Sequence, residues 1–244
     1  MAEHNTARLL ICCPDQKGIV AAVTNFIFQN NGNIIRSDQH STDFEHGRFF
    51  MRLEFDLASF KLSREVFNQA FAELAERFKM DWQINYSADK KRLGLFVSHQ
   101  THCLMELLWR WKAEELPVEI PFIISNHEDA GAIAADFHIP FHHYHIEQKN
   151  KLEQEANILK QIEGKTDLLV LARYMQILSG SFIEQYPYPI INIHHSFLPA
   201  FAGAKPYQQA FERGVKIIGA TAHYATQELD EGPIIEQDVI KITH

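Results

Sequence analysis

The chain has 244 residues, of which 46% are hydrophobic and 22% are charged, and it carries a formal net charge of -8 at pH 7. This length suffices for one large domain or for two of ordinary size. The negative charge argues against a nucleic-acid partner, because phosphate binding uses clustered Lys and Arg. No apolar run approaches the roughly 20 residues that cross a bilayer, so the sequence predicts no membrane partner.

The N-terminal residues and the cysteines indicate the cellular compartment. The chain begins MAEHNTARLLICC, which is polar and then strand-like and does not resemble a signal peptide. Cys12, Cys13 and Cys103 form neither a disulfide framework nor a CxxC metal pair. We therefore expect a cytoplasmic protein with reduced thiols.

Residues 1–86 are predicted to form a first domain with the element order β-α-β-β-α-β. A short strand, ARLLICCP, precedes a helix over residues 17–30, and two strands then flank a turn at residues 45–47. Ser63 can cap a second helix, and alternating apolar residues form a last strand over residues 80–86. This order is the ferredoxin-like arrangement.

Residues 87–92, SADKKR, are charged and are predicted to link this domain to a second one, residues 93–244. In the second domain short apolar runs alternate with helical stretches, as in βαβ units around a mostly parallel sheet. The runs are LGLFVS, PFIIS, IPFHHYH, DLLVLA and PIINIHH. The helix that usually closes such a sheet is not found before His244, so we expect an incomplete C-terminal end. The predicted fold class is α/β.

The apolar run at residues 189–194 ends in polar side chains that a buried strand would not normally carry. Asn192 and His194 are two residues apart, so they point to the same side of a strand. Ligands bind outside the carboxyl ends of parallel strands, where this run ends. An amide beside an imidazole can stabilise a developing oxyanion. A purely structural role, in which both side chains satisfy loop backbone, stays open at this point.

A second polar stretch, ATAHYATQELDEGPIIEQ, follows the next predicted strand. It places Glu228, Asp230 and Glu231 in a loop before a Gly-Pro turn. A carboxylate in that loop can meet the amide and the imidazole of a neighbouring strand and act as a general base. A solvated turn is the alternative interpretation of the same residues.

Taken together, the two stretches resemble a known family. N-x-H-x-S-x-L-P over residues 192–199 and H-x-A-T-x-E-L-D-x-G-P over residues 223–233 resemble the formyltransferase fold that uses 10-formyltetrahydrofolate. The resemblance covers residues 93–242, with LLVLARYMQILS where the folate-contacting loop would lie. Residues 8–86, with CPDQKGIVAAVTNFIFQNNGNI, resemble an ACT domain. This combination of domains resembles the formyltetrahydrofolate deformylase family.

The resemblance implies hydrolysis of 10-formyltetrahydrofolate to tetrahydrofolate and formate, without a metal or other cofactor. It implies that the formate supplies purine synthesis and that the reaction balances the folate pool. By motif, Asn192 and protonated His194 would hold the developing oxyanion while Asp230 takes a proton from the attacking water. His223 would support the loop. The residues implied to line the folate pocket are Met175, Gln176, Leu178, Ala225 and Leu229.

The ACT resemblance implies an amino-acid effector and a homo-oligomer. The first effector segment opens a helix, whose N-terminal amides can receive a carboxylate. In the second segment Gly32 lets the backbone approach a ligand closely. The implied effector residues are Asp15, Gln16, Lys17, Gly18, Ile19, Asn31, Gly32, Asn33 and Ile34.

A metal centre is one alternative, because the chain has 14 histidines and some of them are clustered. His142, His143 and His145 lie close in sequence, but no HExxH pattern or Cys/His spacing accompanies them. We therefore predict no metal. A thiol nucleophile at Cys103, beside His102, is a further alternative, and a small buried cysteine is the other interpretation of that residue.

Two functional alternatives remain open. One is a non-catalytic regulator that binds amino acids, against which the intact catalytic set argues. The other is formyl transfer to an amine acceptor. An acceptor phosphate would use a glycine-rich loop, whereas residues 98–103 are SHQTHC, with His99 and His102 in place of glycines. A tRNA acceptor would use a basic surface, so water is the acceptor that remains.

Overall fold

The computed structural model describes residues 5–43, 47–200 and 206–243. The chain divides into two compact units, Met1–Asp89 and Lys90–His244. The predicted turn at Glu45 and His46, and the predicted domain end at His244, lie outside the described residues. No helix within the described part of the chain is long and apolar enough to cross a membrane.

The first unit contains four strands and two helices in the order β-α-β-β-α-β. They are β1 (Thr6–Pro14), α1 (Ile19–Gln29), β2 (Asn33–Ser41), β3 (Arg48–Asp56), α2 (Arg64–Phe78) and β4 (Asp81–Tyr86). The strands form one antiparallel sheet in the order β2-β3-β1-β4. This is the ferredoxin-like arrangement, in which both helices cover one face of the sheet.

The core of the first unit follows from the alternation along its strands. In β3, Met51 and Leu53 are buried. Phe50, which precedes Met51 and points to the opposite face, is 41% exposed. The helix α2 begins at Ser63, whose hydroxyl accepts a hydrogen bond from the Val66 amide. A row of stacked and edge-on aromatic rings on this helix packs against the sheet. The sheet therefore has one buried face, whose packing holds the unit together, and one exposed face.

Two boundaries differ from the sequence-based prediction. The helix α1 begins at Ile19 rather than at residue 17, because Gly18 has a φ of 95 and lies in the left-handed region. The predicted linker, residues 87–92, ends earlier than expected, because the next strand, β5 (Lys91–Val97), already starts at Lys91. Arg92 lies in that strand, and its backbone carbonyl accepts a hydrogen bond from the Asp167 amide at 2.8 Å.

The second unit is built around a mostly parallel sheet, as predicted. Its elements are β5 (Lys91–Val97), α3 (His102–Lys112), β6 (Val118–Glu119), β7 (Ile123–Ser125), α4 (Ala130–Asp136), β8 (Phe141–His143), α5 (Lys151–Ile162), β9 (Leu168–Leu171), α6 (Gly180–Gln185), β10 (Ile190–His194), α7 (Pro206–Glu212), β11 (Ile217–Tyr224) and β12 (Ile234–Lys241). The order is β12-β11-β10-β9-β5-β7-β8, with β6 beside β5. Among the described strands of this sheet, β10 with β11 and β11 with β12 are the antiparallel pairs, and the other neighbours pair in parallel.

Both faces of this sheet are covered, so consecutive residues of its central strand are buried on opposite sides. Leu95 and Val97 of β5 pack in one apolar cluster with Leu104 of α3. Phe96, between them, packs in a second cluster with Ile158 of α5. Parallel sheets flanked by helices give continuous apolar strands for this reason, and β5 is one of them.

An ion pair joins the start of β5 to the start of β9. Arg92 Nη2 donates to Asp167 Oδ1 at 2.6 Å, and Arg92 Nε donates to Asp167 Oδ2 at 3.1 Å. The Arg92 guanidinium lowers the pKa of the Asp167 carboxyl from 3.8 to about 2. The pair holds together two neighbouring parallel strands at their amino ends.

Replacing Asp167 with Asn is expected to lower the free energy of unfolding at pH 7 by about 1.5–3 kcal/mol, because the charged hydrogen bonds are lost. A carboxylate with a lowered folded pKa stabilises the fold above its unfolded pKa. That stabilisation disappears as the pH falls through the folded value. The difference between wild type and variant should therefore shrink as the pH falls from 3.8 to about 2, as urea unfolding can measure.

The matched control is Asp89→Asn. Asp89 pairs with Arg64 at 2.8 Å, but the two side chains are 57% and 48% exposed, so its loss should change stability by less than about 1 kcal/mol. If the Asp167→Asn variant is no less stable than this control, the stabilising role of the Arg92–Asp167 ion pair is contradicted.

Candidate active site

A cavity of about 380 Å³ opens in the second unit at the carboxyl ends of β9 and β10. Its walls come from the loop after β9, the end of β10 and the loop after β11. All eight residues predicted for catalysis and folate binding lie around it: Met175, Gln176, Leu178, Asn192, His194, Ala225, Leu229 and Asp230. Ligands bind at this edge of open α/β sheets, so the location is that of a substrate site.

The polar end of the cavity is formed by one carboxylate, two imidazoles and one amide. Asp230 Oδ1 lies 3.5 Å from His194 Nδ1 and 3.8 Å from His223 Nε2. The three side chains are between 2% and 8% exposed. Asn192 Nδ2 lies 3.2 Å from His223 Nε2. The predicted catalytic residues therefore meet at one place, and His223 lies among them.

The position of His223 is determined by strand pairing and by one backbone bond. Asn192 and His223 are directly opposite each other in the antiparallel ladder of β10 and β11. His223 Nδ1 lies 3.0 Å from the Tyr224 carbonyl oxygen, which can only accept, so Nδ1 carries a proton. In the neutral ring Nε2 is then an acceptor for the Asn192 amide. His223 thus orients Asn192.

Asp230 reaches the cavity through an unusual backbone conformation. Its φ of 59 lies in the left-handed region, which aspartate tolerates better than most residues do. The following turn is tight, since a Cβ at Gly232 would lie 1.7 Å from the Tyr224 carbonyl oxygen. This turn directs the Asp230 side chain back toward β10.

The loop after β10 is anchored by one buried hydroxyl. Thr221 Oγ1 of β11 donates to the Ser196 carbonyl at 2.7 Å and accepts from the Leu198 amide at 3.1 Å. Gln237 of β12 donates to the same hydroxyl at 3.0 Å and to the Leu198 carbonyl at 2.8 Å. These bonds hold the residues that follow His194 in a single conformation.

The other end of the cavity is apolar. Met175 is 57% exposed and Leu229 is 51% exposed, and they belong to the two loops that flank the opening. The Met175 amide donates to the Ser98 hydroxyl at 3.0 Å, and Lys151 donates to the Ile177 carbonyl. Neighbouring elements therefore hold the loop after β9 in place, while its Met175 side chain stays exposed at the opening. A wall of this kind can receive a flat ring.

Two side chains of the cavity, one guanidinium and one imidazole, were not assigned a role from the sequence. Arg173 follows β9, and His195 follows His194, and both line the cavity. The signal that could have identified Arg173 is a charged residue directly after the apolar run DLLVLA. His195 was visible as one of two adjacent histidines, but periodicity does not show that both rings reach one cavity.

The loop after β5 lies apart from this lining. His99 pairs with Asp129, and its ring stacks on His127 with the centroids 3.4 Å apart. Within the described residues, the cavity lining includes neither His99 nor His102. Burial raises the pKa of the Cys103 thiol. A nucleophilic cysteine has a lowered pKa, so the thiol alternative is disfavoured.

The described residues contain no three His, Cys, Asp or Glu side chains that converge where a metal ion could be held. His142 Nε2 lies 3.0 Å from Gln161 Nε2. His143 Nδ1 lies 3.6 Å from Glu128, and His145 Nε2 lies 3.1 Å from Glu147. The clustered histidines thus each contact a different partner.

The two predicted effector segments lie at opposite ends of the first unit's sheet. Residues 15–19 follow Pro14, which pairs with Arg48, whereas Asn33 pairs with Asp56 at the far end of β3. The helix α1 between them has 11 residues and is about 16 Å long. A small molecule cannot contact both segments of one unit at once. The effector role itself stays a prediction.

Comparison with known proteins identifies the family of the chain. Residues 91–244 match the family model described as formyl transferase, so the second unit is a formyl transferase domain. The chain is 57% identical to the formyltetrahydrofolate deformylase of Synechocystis sp., over 99% of this chain and 85% of that protein. Identity to the Bacillus subtilis formyltetrahydrofolate deformylase is 50%, over 99% and 81% of the two chains.

A solved structure gives the same result. The crystal structure of a formyltetrahydrofolate deformylase from Pseudomonas syringae superposes with a TM-score of 0.94 at 47% identity, over 100% of this chain and 82% of that one. The chain belongs to the formyltetrahydrofolate deformylase family.

Proposed function

We propose that this chain hydrolyses 10-formyltetrahydrofolate to tetrahydrofolate and formate, with water as the acceptor of the formyl group. The observation that carries the proposal is the convergence of Asn192, His194 and Asp230 at the polar end of one cavity. The apolar end of that cavity suits a flat heterocycle. Membership of the deformylase family supports the same reaction.

The geometry assigns a role to each of the three side chains. Asp230, 3.5 Å from His194 Nδ1, favours the protonated form of that imidazole. Water attacks the formyl carbon, and the formyl oxygen becomes negative. The Asn192 amide and the His194 imidazolium donate hydrogen bonds to this oxygen. Asp230 accepts a proton from the water and then donates it to N10 as the carbon–nitrogen bond breaks.

The proposed reaction uses no cofactor, because these side chains supply both the oxyanion donors and the base. The leaving nitrogen of tetrahydrofolate is arylated and weakly basic, so it leaves without help from a metal. We infer that the formate supplies purine synthesis and that hydrolysis balances the one-carbon folate pool.

We infer that the first unit is an ACT domain that binds an amino acid and pairs with a second copy. Its ferredoxin-like sheet supports this proposal, as do the exposed apolar side chains on its outer face. Leu10 is 37% exposed and Phe50 is 41% exposed, and both line a shallow hollow of about 640 Å³. Because the effector segments lie at opposite ends of the sheet, one amino acid would contact both only where two copies meet.

Formyl transfer to an amine is the rival reaction. A phosphate-bearing acceptor would approach the loop after β5, where backbone amides of glycines would receive the phosphate. In this chain that loop carries His99, paired with Asp129, and Gln100, which accepts a bond from Arg173 at 2.6 Å. We infer that these side chains fill the space that an acceptor phosphate would need, which leaves water as the acceptor.

Formate release should proceed at the same rate with and without an amine acceptor. The purified protein is mixed with 10-formyltetrahydrofolate alone, and then with glycinamide ribonucleotide, an aminosugar nucleotide or charged initiator tRNA. Formate and tetrahydrofolate are quantified in each mixture. Capture of the formyl group by any acceptor in preference to water would show that the chain is a transferase.

Asp230→Asn keeps the shape of the side chain but removes the proton acceptor. We expect turnover to fall by about 10²–10⁴-fold with KM for the folate largely unchanged. Glu231→Gln, which changes an exposed carboxylate one residue away, is the matched control and should leave turnover intact. Retention of more than half of the turnover by Asp230→Asn would remove Asp230 from the mechanism.

An amino-acid effector should bind the full-length chain and change its turnover. Glycine and L-methionine are the first candidates, since one-carbon chemistry connects both to folate. Calorimetry with all twenty amino acids measures binding, and D-methionine is the stereochemical control. If none of the twenty binds, the first unit has no effector role.

A further inference from the structure

His195 is an imidazole inside the cavity that the mechanism above does not use. It is half-buried, and its ring centroid lies 5.5 Å from that of His194 and 5.4 Å from that of Tyr207. Within the part of the chain that the structure describes, no protein group hydrogen-bonds to its ring nitrogens. These nitrogens are not enclosed by protein either. The ring therefore has hydrogen-bonding capacity for a molecule in the cavity.

Arg173 provides a fixed positive charge beside this ring. Its Nη2 donates to Gln100 Oε1 at 2.6 Å, and its φ of 62 places it in the left-handed region. Nε and Nη1 are enclosed and have no hydrogen-bond partner among the described residues. None of the ion pairs in the described ranges involves Arg173, so no carboxylate neutralises the guanidinium there.

Two adjacent histidines thus face opposite charges. His194 lies beside the Asp230 carboxylate, which favours its protonated form. Burial, followed by the Arg173 and His194 charges, lowers the pKa of His195 from 6.5 to about 4, against the opposing effect of Asp230. Neighbouring titratable groups whose environments separate their pKa values are typical of acid and base pairs in active sites.

We propose that His195 is a further catalytic residue, whose unprotonated ring nitrogen accepts a hydrogen bond from the water that attacks the formyl carbon. Arg173 is a positioning residue, whose fixed positive charge adds to burial in opposing protonation of that ring. This inference rests on the proposed hydrolysis and specifies how the water is held. The observations that carry it are the shared cavity, the open ring nitrogens and the fixed guanidinium.

The role follows from the two hydrogens of the attacking water. Its lone pair must face the formyl carbon, so both O–H bonds point elsewhere and require acceptors. Asp230 accepts the first hydrogen as a proton when the carbon–oxygen bond forms. His195 accepts a hydrogen bond from the second, which stays on the oxygen until the formic acid product ionises. A protonated His195 has only donors and would compete for the lone pair that attacks.

The protonation of His195 depends on the groups that face it. Arg173 comes from the loop after β9, His194 from β10, Asp230 from the loop after β11, and Tyr207 from α7. Among these, Arg173 is the charged group that the reaction does not otherwise use. Removing the Arg173 charge should raise the His195 pKa toward 6.5. The acid limb of the plot of kcat against pH should then move to higher pH.

The first test replaces the ring nitrogen while keeping a ring. His195→Phe should lower kcat for formate release by about 10- to 100-fold with KM within twofold, since the water loses its orientation. His195→Gln, which retains an acceptor oxygen, should recover part of the loss. His142→Phe is the matched control, because His142 is also partly buried with a lowered pKa but lies outside the cavity lining.

The second test separates positioning from folding. NMR titration of the ring in Arg173→Gln should show the His195 pKa raised, and Arg173→Lys should restore it. The acid limb of kcat should move by the same amount in Arg173→Gln. It should not move when His195→Phe is already present.

The outcomes distinguish the inference from the proposed function. If the wild-type protein releases no formate, the proposed hydrolysis itself fails. If the wild type releases formate and His195→Phe keeps more than half of kcat, or only raises KM, the role of His195 is rejected. Should His195→Phe fail to fold, His195→Ala, which also lacks an acceptor, is judged by the same limits. An unchanged His195 pKa in Arg173→Gln would reject the role of Arg173.

Discussion

A carboxylate that is only 5% exposed needs hydrogen-bond donors or a positive charge near it, and the Asp230 side chain is such a group. Two imidazoles surround it, from His194 and His223. Removing the His194 ring would take away the positive charge beside the carboxylate, and removing the carboxylate would take away the group that favours the protonated form of that ring. The arrangement of the loops around the cavity follows from this requirement.

The sheet makes the arrangement possible because its strand pairing changes from parallel to antiparallel at the site. β10 runs parallel to β9 but pairs antiparallel with β11, so the end of β10 faces the interior of β11. Asn192 and His223 become direct neighbours in that ladder. The tight turn that contains Asp230 then returns the chain to the same place. A parallel neighbour would have carried the carboxylate to a different end of the strand.

Much of this was predictable from local patterns, and the remainder depended on contacts between distant segments. Alternating and short apolar segments predicted the strands of the first unit, and short continuous apolar runs predicted those of the second. The spacing of Asn192 and His194 predicted that they share a side. The roles of Arg173 and His195 were not visible, because they depend on loops 20 residues or more apart meeting at one cavity. The separation of the effector segments depends on sheet register, which hydrophobic periodicity does not supply.

The central claim is that water, held and deprotonated within this cavity, attacks the formyl carbon. Turnover of 10-formyltetrahydrofolate in ¹⁸O-labelled water, followed by mass spectrometry of the formate, measures this directly. The account predicts formate in which one of the two oxygens is labelled, and tetrahydrofolate without label. Formate without label, or a formyl group recovered on an amine in place of formate, would contradict it.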